Sequence, residues 1–159
     1  MHKFHTADLC DAHHEAVQVV MPGLHSFGGA IACFGPVTTI ALDEDNSDLI
    51  TLLKSEGNGR VAVVDAKGAY CAIVGDTLMG FAYKNNWAGI IVNGYVRDIV
   101  NTQNIAVGLW ALGTCPMKSR KKAPSVQGEA VTFLDVTFHE GDYLYADSDG
   151  IVVSKERLV

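Results

Sequence analysis

The chain has 159 residues, 48% hydrophobic and 19% charged, which is enough apolar material for a buried core and argues against disorder. That length suits one domain, residues 1–159. The net charge of −6 leaves no basic stripe of nucleic-acid size, and the cationic run Lys118-Ser119-Arg120-Lys121-Lys122, in a Pro-containing stretch, reads as a solvated loop with no direct nucleic-acid role.

Residues 6–15 read as an opening helix, with Thr6 as its cap and Leu9 and Ala12 on its apolar side. Pro22-Gly23 and Gly28-Gly29 mark turns. Cys33 to Leu42 is rich in Val, Thr and Ile and reads as a strand broken near Gly35-Pro36. After an acidic turn, Asp43 to Asn46, a helix is predicted over Ser47 to Ser55. Leu49, Ile50, Leu52 and Leu53 face inward along it, and Gly57 ends it. Arg60 to Asp65 is a nearly all-apolar strand of the kind buried on both faces. Lys67-Gly68 turns the chain into a strand over Ala69 to Val74, and Gly75-Asp76 opens a helix to about Asn86. Ala88 to Asn93 is the next buried strand, ending at Gly94, and Val107 to Leu112 is another. Beyond Ala130 the pattern becomes short strands and tight turns: Ala130 to Phe138, Tyr143 to Ala146 and Ile151 to Val153, with turns at Gly141-Asp142 and Asp149-Gly150. The sum is a mixed α/β fold.

Four cysteines, at 10, 33, 71 and 115, show neither a CxxC pair nor zinc-type spacing, and Cys33 and Cys71 read as buried thiols. His13 and His14 are adjacent on a helix and point apart, so they make a poor metal pair. His139 reads as a turn residue, as do Asp147 and Asp149. Trp87 and Trp110 are expected in the core or at a subunit contact. The opening Met1 to His5 has no apolar run of signal length, and no stretch approaches the roughly twenty residues of a membrane span. The expectation is a cytoplasmic protein.

Two segments carry chemistry, because a buried strand runs straight into polar residues that a core does not need. In Ile73-Val74-Gly75-Asp76-Thr77-Leu78 a strand ends at glycine and a helix begins. The first amides of a helix lack internal partners and sit at the positive end of its dipole, so residues 76–78 could hold a carboxylate. The plainer alternative is that Asp76 caps the helix and consumes those amides itself. In Val92-Asn93-Gly94-Tyr95-Val96-Arg97-Asp98 a strand again exits through glycine. The planar fork of Arg97 suits a carboxylate, and Asp98 suits a hard cation such as Mg²⁺. Together they could grip a 2-oxo acid at both ends. The plainer alternative is a surface salt bridge, or Asp98 as a helix cap. One helix and one strand separate the segments. If the strands are parallel neighbours, both loops meet at one edge of the sheet, where open α/β sheets bind ligands.

Asp76, twenty intervening residues and then Arg97-Asp98 resemble the signature of the 4-hydroxy-4-methyl-2-oxoglutarate aldolases, a family that includes the regulator of ribonuclease activity A. The likeness extends over Thr6-Ala7-Asp8-Leu9-Cys10-Asp11, Gly28-Gly29, Gly59 to Asp65, Trp87 to Val92, Gly141-Asp142, Tyr145-Ala146-Asp147 and Asp149 to Val152. The resemblance implies a swivelling β/β/α-type fold and a ring-shaped homotrimer with sites near subunit boundaries. It also implies a divalent-metal aldolase, using Mg²⁺ or Mn²⁺, that releases pyruvate and decarboxylates oxaloacetate as a side activity. On this resemblance Gly75, Asp76, Thr77, Leu78 and Arg97 bind substrate, Asp98 holds the metal, and Asp76 acts through ordered water.

The family signature places an acidic residue where this chain has Asn101, which removes one negative charge near the metal. The chain also ends at Val159, early for an aldolase that borrows a carboxylate from a neighbour's C-terminal tail, and its length is closer to the ribonuclease-regulator branch. Two functions follow. The favoured one is catalysis, with the metal polarising the keto oxygen, Arg97 anchoring the carboxylate and a metal-bound water moving the proton. No lysine lies in either segment and Lys84 reads as an exposed helix residue, so a Schiff base is not favoured. The alternative is a trimeric regulator that docks on ribonuclease E or a helicase, its acidic charge matched to a basic partner.

Overall fold

A computed structural model describes residues 3–159; Met1 and His2, within the opening Met1–His5 stretch, lie outside the described residues. The elements in chain order are α1 (Thr6–His13), β1 (Val17–Val19), β2 (His25–Ser26), β3 (Cys33–Ala41), α2 (Ser47–Lys54), β4 (Val61–Asp65), β5 (Ala72–Val74), α3 (Asp76–Lys84), β6 (Gly89–Val96), α4 (Ile99–Thr102), β7 (Gly108–Thr114), β8 (Val126–Gln127), β9 (Val131–Phe133), β10 (Val136–Phe138), β11 (Tyr143–Ala146) and β12 (Ile151–Ser154).

A ten-stranded sheet runs β1-β12-β11-β3-β4-β6-β7-β2, with β5 also paired to β6 and β8 to β3. Its centre, β3-β4-β6-β7, is parallel. Parallel strands need both faces covered, and both are. On one face Ala62, Val64, Ile90 and Val92 pack with Leu49 and Leu53 of α2 and Leu78, Met79 and Ala82 of α3. On the other, Val61, Val63, Ile91 and Trp110 pack with Val131, Phe133, Val136 and Phe138 of the β9–β10 hairpin. This alternation explains the near-continuous apolar run of β4, all of whose valines are buried. Trp87 and Trp110 are also buried, and the indole of Trp87 donates to the Ser55 carbonyl (3.0 Å).

Strand β3 is continuous where a break near Gly35-Pro36 is expected. Its first half, through Pro36, pairs antiparallel with β11, and from Val37 it pairs parallel with β4. Pro36, lacking an N–H, stands at the changeover, where losing one ladder donor costs least. Gly35 is required by proximity, since a Cβ there would lie 2.0 Å from the Gly59 carbonyl oxygen. Gly57 likewise does not end α2, which stops at Lys54; a Cβ on Gly57 would meet the Trp87 ring at 2.7 Å.

Other boundaries also move. Helix α1 ends at His13, and Thr6 lies inside it rather than capping it, with His5 at the cap position. The Thr6 amide and hydroxyl donate to the buried Asp147 carboxylate at 2.8 and 2.6 Å. Asp147 is therefore more than a turn residue: it ties the first helix to the β11–β12 turn across 141 residues. Strand β5 begins only at Ala72, while β6 runs through Gly94 to Val96. No helix among the described residues is long and apolar enough to cross a membrane.

Candidate functional site

Strand β6 is long enough to take two parallel neighbours on one flank. Its first half pairs with β4, up to Asp65↔Asn93, and its end pairs with β5, Val74↔Val96. The Arg97 amide then donates to the Val74 carbonyl (3.0 Å), carrying the pairing one residue past the strand. Gly75 and Arg97-Asp98, separated in sequence by α3 and β6, are thereby brought side by side at one sheet edge.

Gly75 has extended backbone (φ −131°, ψ −163°) that any residue could adopt. What requires glycine is closeness: a Cβ would lie 2.6 Å from Asp98 Oδ2 and 3.5 Å from Arg97 Cγ. Asp98 adopts the left-handed conformation (φ 59°, ψ 35°), which Asp tolerates better than most residues. Its carbonyl accepts the amides of Asn101 and Thr102, both at 2.9 Å, and so starts α4. Asp98 thus occupies the cap position, but its side chain makes no cap bond. The carboxylate points back across the cleft and accepts a long contact, 3.4 Å, from the Asp76 amide.

Asp76 is the first residue of α3, and Gly75, with no side chain, holds the cap position. The Asn101 side-chain amide donates to Asp76 Oδ2 at 2.9 Å. This bond keeps the Asp76 carboxyl below the ordinary carboxylate pKa, so it is ionised at neutral pH. Two carboxylates therefore flank the positive end of α3. Thr77 is exposed, whereas Leu78 is buried in the core, so its offering to a ligand is its backbone amide.

Arg97 Nη1 donates to the Pro116 carbonyl (3.2 Å). Among the described residues neither Arg97 nor Asp98 joins an ion pair, so the surface salt bridge weighed from sequence is not formed. The remaining donors of the Arg97 fork are available to a ligand carboxylate. Arg97 also lines a groove of about 670 Å³ with Pro116, Met117, Lys118, Ser119 and Arg120. The cationic run read as a solvated loop therefore borders the candidate site, and Asn101 enters it as the partner of Asp76. The clustering of Lys118 and Arg120 was visible in sequence, but their proximity to Arg97 depends on the chain path after β7.

The donor set limits what metal would fit. Among the described residues no three His, Cys, Asp or Glu side chains group together, which excludes a closed structural site built from them. One exposed carboxylate, Asp98, with a second, Asp76, across the cleft suits a hard cation that keeps most of its ligands as water and substrate.

Comparison with known proteins identifies the family. The family model described as RraA-like, Aldolase/RraA, matches residues 6–153. A protein of Aromatoleum aromaticum with the provisional name 4-hydroxy-4-methyl-2-oxoglutarate aldolase is 46% identical over 158 residues, covering 99% of both chains. Among solved structures, the RNA-processing inhibitor RraA from Thermus thermophilus superposes with a TM-score of 0.94 at 33% identity, covering 99% of this chain and 96% of that one. A Geobacillus kaustophilus protein titled S-adenosylmethionine:2-dimethylmenaquinone methyltransferase matches with the same TM-score at 36% identity, covering 98% and 97%. With a family match over nearly its full length and relatives this similar, the chain belongs to the RraA-like family of aldolases and RraA proteins.

Proposed function

We propose that this protein is a divalent-metal-dependent lyase that cleaves 4-hydroxy-4-methyl-2-oxoglutarate to pyruvate, with oxaloacetate decarboxylation as a side activity. The observation that carries the reading is the convergence of Gly75, Arg97 and Asp98, in which a single Cβ on Gly75 would touch both side chains. Asp98 would hold Mg²⁺ or Mn²⁺ directly and Asp76 through water. The cation, when bound, supplies Lewis acidity toward the keto oxygen. Arg97 and the first-turn amides of residues 76–78 bind the adjacent carboxylate and orient the scissile bond. The charge of Arg97 also favours the negative charge that develops on the departing pyruvate fragment. Asp76, whose carboxylate accepts the Asn101 amide, positions the water that carries the proton.

The reading includes a homotrimer. Val19, Met21 and Ile31 are 56%, 49% and 65% exposed and border a hollow of about 660 Å³ that also includes Trp110 and Asp149. An apolar face of this kind suits a subunit contact. Pyruvate release from both substrates, measured by coupled NADH oxidation with and without EDTA, tests the function. A signal lost with EDTA and restored by Mg²⁺ supports it; no signal with either substrate refutes it.

The likeness to the Thermus inhibitor supports a second reading, a non-catalytic regulator of ribonuclease E or an associated helicase. Tight binding to the ribonuclease by a protein that releases no pyruvate would favour that reading.

A further inference from the structure

The aldolase reading leaves the segment after β7 without a task, although it forms one wall of the groove beside Arg97. Residues 116–125 are held across the sheet edge at several points. The Pro116 carbonyl accepts from Arg97 and the Met117 carbonyl accepts the Ala72 amide (2.8 Å). Lys121 Nζ pairs with Asp43 (2.7 Å), the Ala123 amide donates to Asp45 (3.1 Å), and the Ser125 hydroxyl donates to Asp48 (2.6 Å). Lys121 is thus committed to anchoring. Lys118 and Arg120 are not: both are exposed, and among the described residues neither joins an ion pair. They line the same groove as Arg97, and no carboxylate lines it.

Three cations that, among the described residues, join no ion pair, on a pinned wall, make a groove that favours a ligand with more than one negative charge. We propose that Lys118 and Arg120 select dicarboxylate 2-oxo acids. Arg97 and the amides after Gly75 take the carboxylate next to the keto group, and the strap takes the carboxylate at the far end. This rests on the aldolase reading for the placement of the first carboxylate. It adds a specificity element: an aldol with one carboxylate would fill the catalytic half of the site and leave Lys118 and Arg120 unmatched.

The test compares wild type with the K118A/R120A double variant, whose exposed positions leave the core untouched. A K84A/K122A variant controls for the same change in net charge. Calorimetric binding of 2-oxoglutarate and of 2-oxopentanoate, equal in chain length, is measured with Mg²⁺ present. Wild type is expected to prefer the dicarboxylate at least tenfold. The double variant should lose that preference by weakening dicarboxylate binding alone, and the control should keep it. Equal binding of the two acids by wild type, or an undiminished preference in the double variant, overturns the proposal. Because the readout is binding, the preference can persist in a protein that releases no pyruvate, and that result would reject the aldolase reading while retaining the strap.

Discussion

Substituting Gly75 by Ala tests the site with little disturbance to the fold. The backbone at Gly75 is extended, so alanine introduces no strain there. The added Cβ would stand 2.6 Å from Asp98 Oδ2, whereas ordinary contact begins at 3.4 Å. The carboxylate must therefore retreat by 3.4 − 2.6 = 0.8 Å, and the added Cβ, already in contact with Arg97 Cγ at 3.5 Å, has no room to yield on that side. A displacement near 1 Å in a reacting constellation costs about 100-fold in rate. Alanine is a poorer helix cap than glycine, by about 1 kcal/mol, which for a chain of this size lowers Tm by roughly 3 °C. The expected result is a fall of about 100-fold in kcat/KM for pyruvate release, with a higher Mg²⁺ requirement and a Tm lowered by only roughly 3 °C. Full activity at the wild-type Mg²⁺ concentration would refute the placement of Asp98 as the cation ligand.

Arg97→Ala should weaken transition-state binding by about 2–5 kcal/mol, the range for truncating one partner of a charge pair that the bound ligand desolvates, read as kcat/KM on oxaloacetate; retention of wild-type kcat/KM would remove Arg97 from the site. Asn101→Ala should move the Asp76 pKa up towards its ordinary value, because the largest cause of its depression is the Asn101 amide. A carboxyl with a depressed folded pKa favours the fold above the unfolded pKa and loses that contribution as pH falls through the folded value. The variant should therefore shed the Asp76 contribution at higher pH than wild type, and carbon-detected NMR titration of the carboxyl gives the shift directly. Asp147→Ala should cost about 1.5–3 kcal/mol, the worth of hydrogen bonds to a charged group, measured by urea unfolding; an unchanged midpoint would mean that the Thr6 anchor is not needed. Gly35→Ala should destabilise by about 1–3 kcal/mol or more through overpacking, since the clash is with the Gly59 backbone and not with a movable side chain.

The central strands and the two main helices were legible because burial on both faces leaves a continuous apolar run, as in β4, and helical periodicity marks α2 and α3. The strand–glycine–helix turn at Gly75-Asp76 was legible for the same reason, and the parallel β5–α3–β6 unit brings it to Arg97 as its spacing predicts. Short elements were not: β2 and β8 have two residues each and α4 four, too few for any period to show. Proline and glycine misled at β3, because a strand that changes partners tolerates Pro36 at the changeover, and a glycine needed for close packing resembles one needed for a turn. The left-handed backbone of Asp98, which aims its carboxylate back at Gly75, leaves no signal in composition. Nor does the Thr6–Asp147 bond, whose partners stand at opposite ends of the sequence.

The most direct measurement is Mn²⁺ binding followed by electron paramagnetic resonance, in the presence and absence of pyruvate. A site formed by Asp98 and completed by ligand predicts that wild type depletes the free Mn²⁺ signal, more strongly once pyruvate is added, and that Asp98→Ala does neither. Equal Mn²⁺ binding by the variant, with the same response to pyruvate, would contradict the assignment of Asp98.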